Sequence, residues 1–220
     1  TVNGVFSEFG DPSKMGYQAK IETGSIQLGT ILQNKMLGPV SLSVTANGKG
    51  VDPKTANAMF DGVIHSAAYN NYIYKDVKLD GQIAAEKIDV NIAAADPNAD
   101  LDLHATADIS GEYPALTLNG MIDSIKLEPL HFTRDRMVYR GRIQADFPGL
   151  DPDNLNGKLY ATESVFVYKE ERVSLDTLQL LAGRTDTGRY VQLISPFMTA
   201  KMEGRYQLTQ IGTVFQQAIQ

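Results

Sequence analysis

The histidines are the first residues to test for chemistry, because an imidazole ring can act as a base and as a metal ligand. The chain contains three, His65, His104 and His131. His65 and His104 lie at polar positions of alternating segments, and neither has a second histidine at a ligand spacing. We therefore expect solvated histidines and no metal site.

Two segments imitate ligand-binding loops. The run from Asp96 to Asp102 begins like a calcium loop, but its sixth position is Leu101 instead of Gly and its twelfth is Ala107 instead of Glu. The run from Gly183 to Arg189 imitates a phosphate loop without the Gly-Lys-Ser/Thr ending. We interpret the first as a polar turn and the second as a hairpin tip.

No other set of residues suggests catalysis. The chain has no cysteine, which excludes thiolate chemistry and zinc–sulfur sites. No serine occupies a Gly-x-Ser-x-Gly elbow. The carboxylates alternate with apolar residues, which is the pattern of a solvated surface. The sequence therefore predicts a protein that is not an enzyme and has no cofactor.

Charge and length narrow the class of protein further. The 220 residues include 20 basic and 26 acidic ones, and the net charge is −6. Such a surface repels phosphates, so we expect no nucleic-acid partner. The first residues, Thr1 to Val5, contain no initiator Met and no signal peptide, and no apolar run reaches membrane-spanning length. We expect an excised segment whose membrane anchor lies outside it.

Alternation of apolar and polar residues dominates from about residue 60 onward. It is clearest in four segments, which are Asp76–Asp80, Ile88–Ile92, Asp100–Ile109 and Tyr139–Phe147. A period of two places the apolar residues on one face of a strand and the polar residues on the other. The pattern predicts an all-β fold, a curled antiparallel sheet that forms a taco-like groove or open array. The alternative is a closed β-sandwich.

The ends of the chain differ from this region. Residues 1–59 are predicted to add strands and an irregular loop to the same array, with a short helical turn from Lys54 to Met59. Residues 60–206 are predicted to form the repetitive sheet. Residues 207–220 are predicted to form an amphipathic helix because apolar residues recur at spacings of three and four; they are Leu208, Ile211, Val214, Phe215, Ala218 and Ile219.

A glycine recurs on the apolar side of the strands. Six examples follow a polar residue and precede an apolar one, and they are Gly62, Gly81, Gly120, Gly141, Gly157 and Gly204. Several spacings are close to twenty residues, which we interpret as one hairpin per repeat. Glycines on an inner face would let the sheet bend sharply. The alternative is that they lie in turns.

The apolar rows of neighbouring strands should combine into one surface. The residues predicted to line it are Val77, Leu79, Ile83, Ile88, Val90, Ile92, Leu101, Leu103, Leu116, Leu118, Ile122, Tyr139, Ile143 and Phe147.

The segment from Gly157 to Leu180 contains a Gly-x-hydrophobic strand, an apolar strand and a short Leu-x-x-Leu strand. This arrangement resembles the repetitive C-terminal regions of AsmA-like proteins and of the translocation and assembly module TamB, as found in Bacteroidetes. The segment from Met202 to Leu208 is similar too, and the resemblance covers roughly residues 60–220.

The resemblance implies a periplasm-spanning envelope protein, anchored in the inner membrane, that holds lipid in an apolar β-groove and supports outer-membrane biogenesis. The implied partners are a phospholipid or another acyl lipid and an outer-membrane β-barrel protein. The competing hypothesis is a structural or adhesive β-module that binds protein or glycan. Tyr69, Tyr72 and Tyr74, which cluster near a predicted turn, leave a glycan platform open.

Overall fold

The fold is one antiparallel sheet in which the order of the strands is their order in the chain. The computed structural model describes residues 1–8, 10–31, 34, 36–52 and 54–207. Its strands are β1 Val2–Ser7, β2 Gly16–Gln27, β3 Leu37–Lys49, β4 Asn57–Tyr69, β5 Tyr72–Ala84, β6 Lys87–Asp96, β7 Ala99–Asp108, β8 Ala115–Lys126, β9 Met137–Gly149, β10 Asn156–Tyr168, β11 Glu171–Arg184, β12 Arg189–Ile194 and β13 Thr199–Gly204. A four-residue helix, α1 Leu28–Ile31, and a 3₁₀ turn, Pro152–Asn154, lie between strands.

Alternation in the sequence is the reason these segments are strands. In β7, Leu101 and Leu103 are half-buried whereas Asp102 and His104 are exposed. The turns are short: Asn70 and Asn71 alone join β4 to β5, and both have positive φ, 51° and 62°. Two positive φ angles are typical of the type I′ turn that fits a tight hairpin.

Irregular residues interrupt several strands near one end of the sheet. Asp76 in β5 and Glu163 in β10 have φ of 53° and 51°. The register between β8 and β9 shifts between Ile122 and Ile125. Extra residues of this kind bend a strand and increase its twist. They account for a sheet that curls instead of lying flat.

The sheet is curled but not closed, as predicted. Among the described residues, β-strands make extensive contact only with their neighbours in the sheet order. Nine of the fifteen buried hydrophobic residues in this part of the chain are alanines. A closed sandwich would instead bury many large side chains between two layers. The chain therefore does not form the alternative, a closed β-sandwich with a dry core.

One predicted element, the helical turn from Lys54 to Met59, is wrong. Lys54 and Thr55 form a turn, but Asn57 to Met59 belong to β4 and not to a helical turn, because buried Ala58 between exposed neighbours has a strand period. Residue 60, where the repetitive region was predicted to start, lies inside β4, and the strands before it belong to the same sheet as the strands after it. Gln207 has no regular structure, and the remainder of the predicted helix, 208–220, lies outside the described residues.

Candidate functional site

One face of the sheet, here called the inner face, carries a row of uncharged residues that crosses every strand. Each member stands directly opposite the next in the ladder, so all of their side chains are on the same face. From β1 to β13 this central row consists of Gly4, Ala19, Ala46, Phe60, Gly81, Val90, Ala105, Leu118, Ala145, Leu159, Leu180, Leu193 and Ala200.

The fourteen residues predicted to line an apolar surface all lie on this inner face. Val90 and Leu118 belong to the central row. The others occupy three parallel rows, Ile83–Ile88–Ala107–Leu116–Phe147, Leu79–Ile92–Leu103–Gly120–Ile143 and Val77–Ala94–Leu101–Ile122–Gly141, with Tyr139 beyond the last. Ile122, Tyr139 and Phe147 are buried and the other eleven are half-buried. The surface is therefore apolar and still open to solvent.

The inner face is also free of charge over a large area. From β2 to β11, the central row and the three parallel rows contain no Asp, Glu, Lys or Arg. Their most polar members are Tyr17 and Thr23 on β2 and Ser164 on β10, which lies against Gly141. An uncharged surface of this extent is unusual on water-exposed protein, so the inner face is the candidate interaction site.

One corner of the inner face is packed more densely than the rest. Ile122, Tyr139 and Ala161 form a buried cluster on β8, β9 and β10. The Tyr139 ring lies 4.8 Å from the Phe166 ring, and its hydroxyl is 3.2 Å from Ser164 Oγ. Half-buried residues from β7 to β11 pack against the cluster, namely Leu101, Leu103, Ile125, Ile143, Phe166 and Leu178. The inner face is therefore most densely packed where β8, β9 and β10 meet.

The six repeated glycines all lie within strands, so the alternative of turn glycines does not apply. They occur in β4, β5, β8, β9, β10 and β13 and are Gly62, Gly81, Gly120, Gly141, Gly157 and Gly204. The spacing of about twenty residues joins neighbouring strands and not whole hairpins, as the pairs Gly62–Gly81 and Gly120–Gly141 demonstrate. The interpretation of one hairpin per repeat was wrong. These strands are twelve or thirteen residues long, so two of them and their turn are longer than the repeat.

The end of the sheet that carries the β4–β5, β6–β7, β8–β9 and β10–β11 turns is called the upper rim. Asp96 is buried there, 4% exposed, and accepts hydrogen bonds from the Tyr72 hydroxyl at 2.5 Å and from the Lys75 and Asn98 backbone amides. Tyr72 and Tyr74 contact each other edge to face at 4.9 Å. Burial and the bond to Asp96 raise the pKa of Tyr72. The tyrosines are thus part of the rim structure.

The opposite, outer face is polar. His104 Nε2 donates to Asp89 Oδ1 at 2.8 Å, and the Thr106 and Thr117 hydroxyls lie 2.6 Å apart. These contacts are exposed and contribute little stability. In the part of the chain that the structure describes, no group of three or more His, Cys, Asp or Glu could hold a metal ion.

Sequence reasoning missed inner-face residues at both ends of the sheet. They include Ile21, Leu42, Val44, Phe60 and Ile64 in β2 to β4, and Leu159, Phe166, Leu178 and Leu180 in β10 and β11. The signal was present in Val40-Ser41-Leu42-Ser43-Val44, which alternates in the same way. A bulge at the start of β3 and another in β2 break the period nearby and hide it.

Comparison with family models, with curated proteins and with solved structures finds no match for this chain. Among the described residues, no helix is both long enough and apolar enough to span a bilayer. The function of the protein is therefore inferred from the geometry and chemistry of the inner face.

Proposed function

We propose that the inner face binds the acyl chains of a lipid. The observation that carries the proposal is the set of uncharged rows that run from β2 to β11. Many of their residues are only half-buried, so the surface is open to solvent. Water disfavours such a surface by about 25 cal/mol per Å². Each methylene that a lipid buries there gains about 0.8 kcal/mol, so two acyl chains suffice to offset the cost of ordering a ligand.

The shape of the site favours a flexible, chain-like ligand over a compact one. The rows extend across many strands instead of converging on a pocket, and alanines and glycines alternate with larger residues such as Phe60, Leu118 and Leu159 along the central row. A surface of this kind makes few directional contacts. It is suited to hydrocarbon, which has no hydrogen bonds to satisfy.

We further propose that the chain serves in the cell envelope, as the resemblance to AsmA-like proteins and TamB implies. In that role it is a segment of a longer periplasmic protein whose inner-membrane anchor lies outside this segment. It passes phospholipid toward the outer membrane, and an outer-membrane β-barrel protein is its proposed partner. The groove needs no catalytic residue or cofactor for this task.

The competing role as a glycan-binding adhesive module has less support. Carbohydrate platforms present the open face of an aromatic ring. Tyr72 and Tyr74 are half-buried against each other, and the Tyr72 hydroxyl is already bonded to Asp96. Tyr69 faces the Phe132 ring at 6.5 Å. All three tyrosines are thus engaged within the rim.

Native mass spectrometry of the purified chain tests the proposal. We expect adducts with the masses of phospholipids, either after purification or after incubation with phosphatidylcholine vesicles and re-isolation. A fluorescent fatty acid should bind with increased emission and be displaced by the same phospholipid. A chain that carries no adduct and leaves the probe in water at saturating lipid would exclude the lipid groove and return the adhesive hypothesis to first place.

A further inference from the structure

The β8–β9 loop, residues 127–136, makes a contact that the order of the strands does not require. The Asn70 side-chain amide, in the β4–β5 turn, donates to the Leu130 and His131 carbonyl oxygens at 3.2 and 3.1 Å. His131 Nδ1 in turn donates to the Asn70 carbonyl oxygen at 3.0 Å. These partners are 60 and 61 residues apart in the chain. The two turns are therefore tied together directly.

In the sheet, two strands and their turn separate these partners. Asn70 precedes β5 and the loop follows β8, while β6 and β7 lie between them. Strands are spaced by about 4.8 Å, so the gap along a flat sheet is roughly 14 Å. The β6–β7 turn lies in this gap and is bonded on both sides. The Asn98 side-chain amide donates to the Tyr72 hydroxyl at 3.1 Å, and Lys126 Nζ at the end of β8 donates to the Pro97 carbonyl oxygen at 2.6 Å. The loop must therefore lean across this turn to reach Asn70.

The contact is apolar as well as polar. Leu130, at the tip of the loop, is only 2% exposed and is the most deeply buried large side chain among the described residues. The Phe132 ring lies 6.5 Å from the Tyr69 ring, yet Phe132 itself is 50% exposed. An open sheet that buries few large residues thus buries one of them by folding a loop over its rim.

The other side of the loop is fixed to the next turn. Asp135 accepts a hydrogen bond from the Tyr168 hydroxyl at 2.7 Å, and Lys169 Nζ lies 3.7 Å from its carboxylate. The Lys169 backbone amide donates to the Arg136 carbonyl oxygen at 2.9 Å. Contacts on both sides make the loop a bridge from the β4–β5 turn to the β10–β11 turn.

We propose that residues 127–136 form a releasable clasp that shuts the upper rim of the groove between β5 and β8. This inference rests on the proposed lipid-binding function, and it adds that lipid exchanges through this rim only when the clasp is open. The Asn70 side is the side that releases, because each of its three hydrogen bonds uses a side chain and water can replace it. On the other side, the backbone hydrogen bond from Lys169 to Arg136 continues the pairing of β9 with β10. The Asp135 side remains attached and acts as the hinge.

The absence of native cysteine allows a direct experiment. The double variant Asn70→Cys/His131→Cys places a disulfide across the releasing side. The matched control, Asp135→Cys/Lys169→Cys, places one across the hinge side of the same loop. Transfer of a fluorescent phospholipid from the loaded protein to phosphatidylcholine vesicles is measured for each variant, oxidised and reduced. A third variant, Asn70→Ala, removes the amide that bonds the loop.

We expect the oxidised Asn70→Cys/His131→Cys protein to transfer lipid at least tenfold more slowly than the same protein after reduction. The control pair should change less than twofold, and Asn70→Ala should transfer severalfold faster than the wild type. Equal rates for the oxidised and reduced clasp variant would overturn the proposal even though lipid binds.

A second readout needs no lipid. Hydrogen exchange of the amides in residues 127–136 should quicken in Asn70→Ala and slow in the oxidised clasp variant. If the variants show this exchange pattern but the wild type binds no lipid, the clasp is supported and the proposed lipid function is contradicted. If the control disulfide forms under mild oxidation but the Asn70→Cys/His131→Cys disulfide does not, that result would contradict the contact between the loop and Asn70, and with it the clasp.

Discussion

Leu103 fills the space that a side chain on Gly120 would occupy. The two residues stand opposite each other in the ladder between β7 and β8. A Cβ built on residue 120 would lie 2.7 Å from Leu103 Cδ2 and 2.8 Å from Leu103 Cα. Gly81 and Val90 have the same relationship between β5 and β6, with the Val90 Cα 2.9 Å from the added Cβ. These inner-face glycines allow neighbouring backbones to approach where the sheet curls.

Replacing Gly120 with alanine should therefore destabilise the chain. The added methyl group cannot avoid the Leu103 backbone, so we expect the free energy of unfolding to fall by about 1–3 kcal/mol. Gly24→Ala is the matched control, because nothing lies within 4 Å of a Cβ there and its backbone is not in the left-handed region. The control should gain up to about 1 kcal/mol. Urea denaturation of both variants measures the difference.

Leu118→Asp distinguishes an open groove from a closed core. Leu118 is half-buried in the central row, so a carboxylate there keeps access to water. We expect a loss of about 1–2 kcal/mol, from the missing apolar burial, and a folded protein. Lipid retention should fall at least tenfold, because a charge would then stand in the middle of the acyl-chain surface. Thermal melts and quantified lipid extraction measure the two effects.

Asn119→Asp provides the matched control for this charge. Asn119 is adjacent to Leu118 but is exposed on the outer face, opposite His104 and Gln144. It should keep both wild-type stability and lipid retention. Complete unfolding of Leu118→Asp would instead indicate that the inner face is covered in solution, and equal lipid loss in both variants would point to net charge and not to the groove.

The inner face could be assigned from the sequence because a period of two leaves no ambiguity within a regular strand. Leu101, Leu103 and Leu118 lie on one side and Asp102 and His104 on the other, as the alternation predicts. The curled, open arrangement followed from glycines in phase with the apolar residues. Local pattern therefore determines the side on which each residue of β5 to β9 lies.

The clasp and the bulges could not be predicted in this way. The contact between Asn70 and His131 joins residues 61 positions apart, and no local pattern encodes such a pairing. Asp76 and Glu163 are ordinary polar residues whose left-handed backbone follows from the pairing of whole strands. The strands of the first 59 residues were placed less well, because bulges in β2 and β3 interrupt their alternation.

The packed corner of the groove should be more sensitive to truncation than its open part. Ile122 is 7% exposed within the buried cluster, whereas Leu116 is half-buried in another row. We expect Ile122→Ala to cost about 2–4 kcal/mol and Leu116→Ala roughly half as much, because a cavity forms only where neighbours surround the missing atoms. Chemical denaturation gives both values, and equal costs would contradict the distinction between corner and open surface.

The rim tyrosine Tyr72 should make stability fall at alkaline pH. Burial, followed by the hydrogen bond to Asp96, raises the pKa of Tyr72 above its ordinary value of 10.0. The unfolded state therefore loses the Tyr72 proton at a lower pH than the folded state. The stabilising contribution is complete below pH 10 and is lost as the pH rises toward the folded-state pKa.

Tyr72→Phe should be less stable than the wild type at pH 7, because the hydroxyl bond is missing, but its stability should decline less between pH 9 and 11. Leu116→Ala, which changes no ionisable group, should keep the wild-type decline. Urea denaturation across this pH range measures all three proteins, and parallel curves for Tyr72→Phe and the wild type would show that the alkaline loss arises elsewhere.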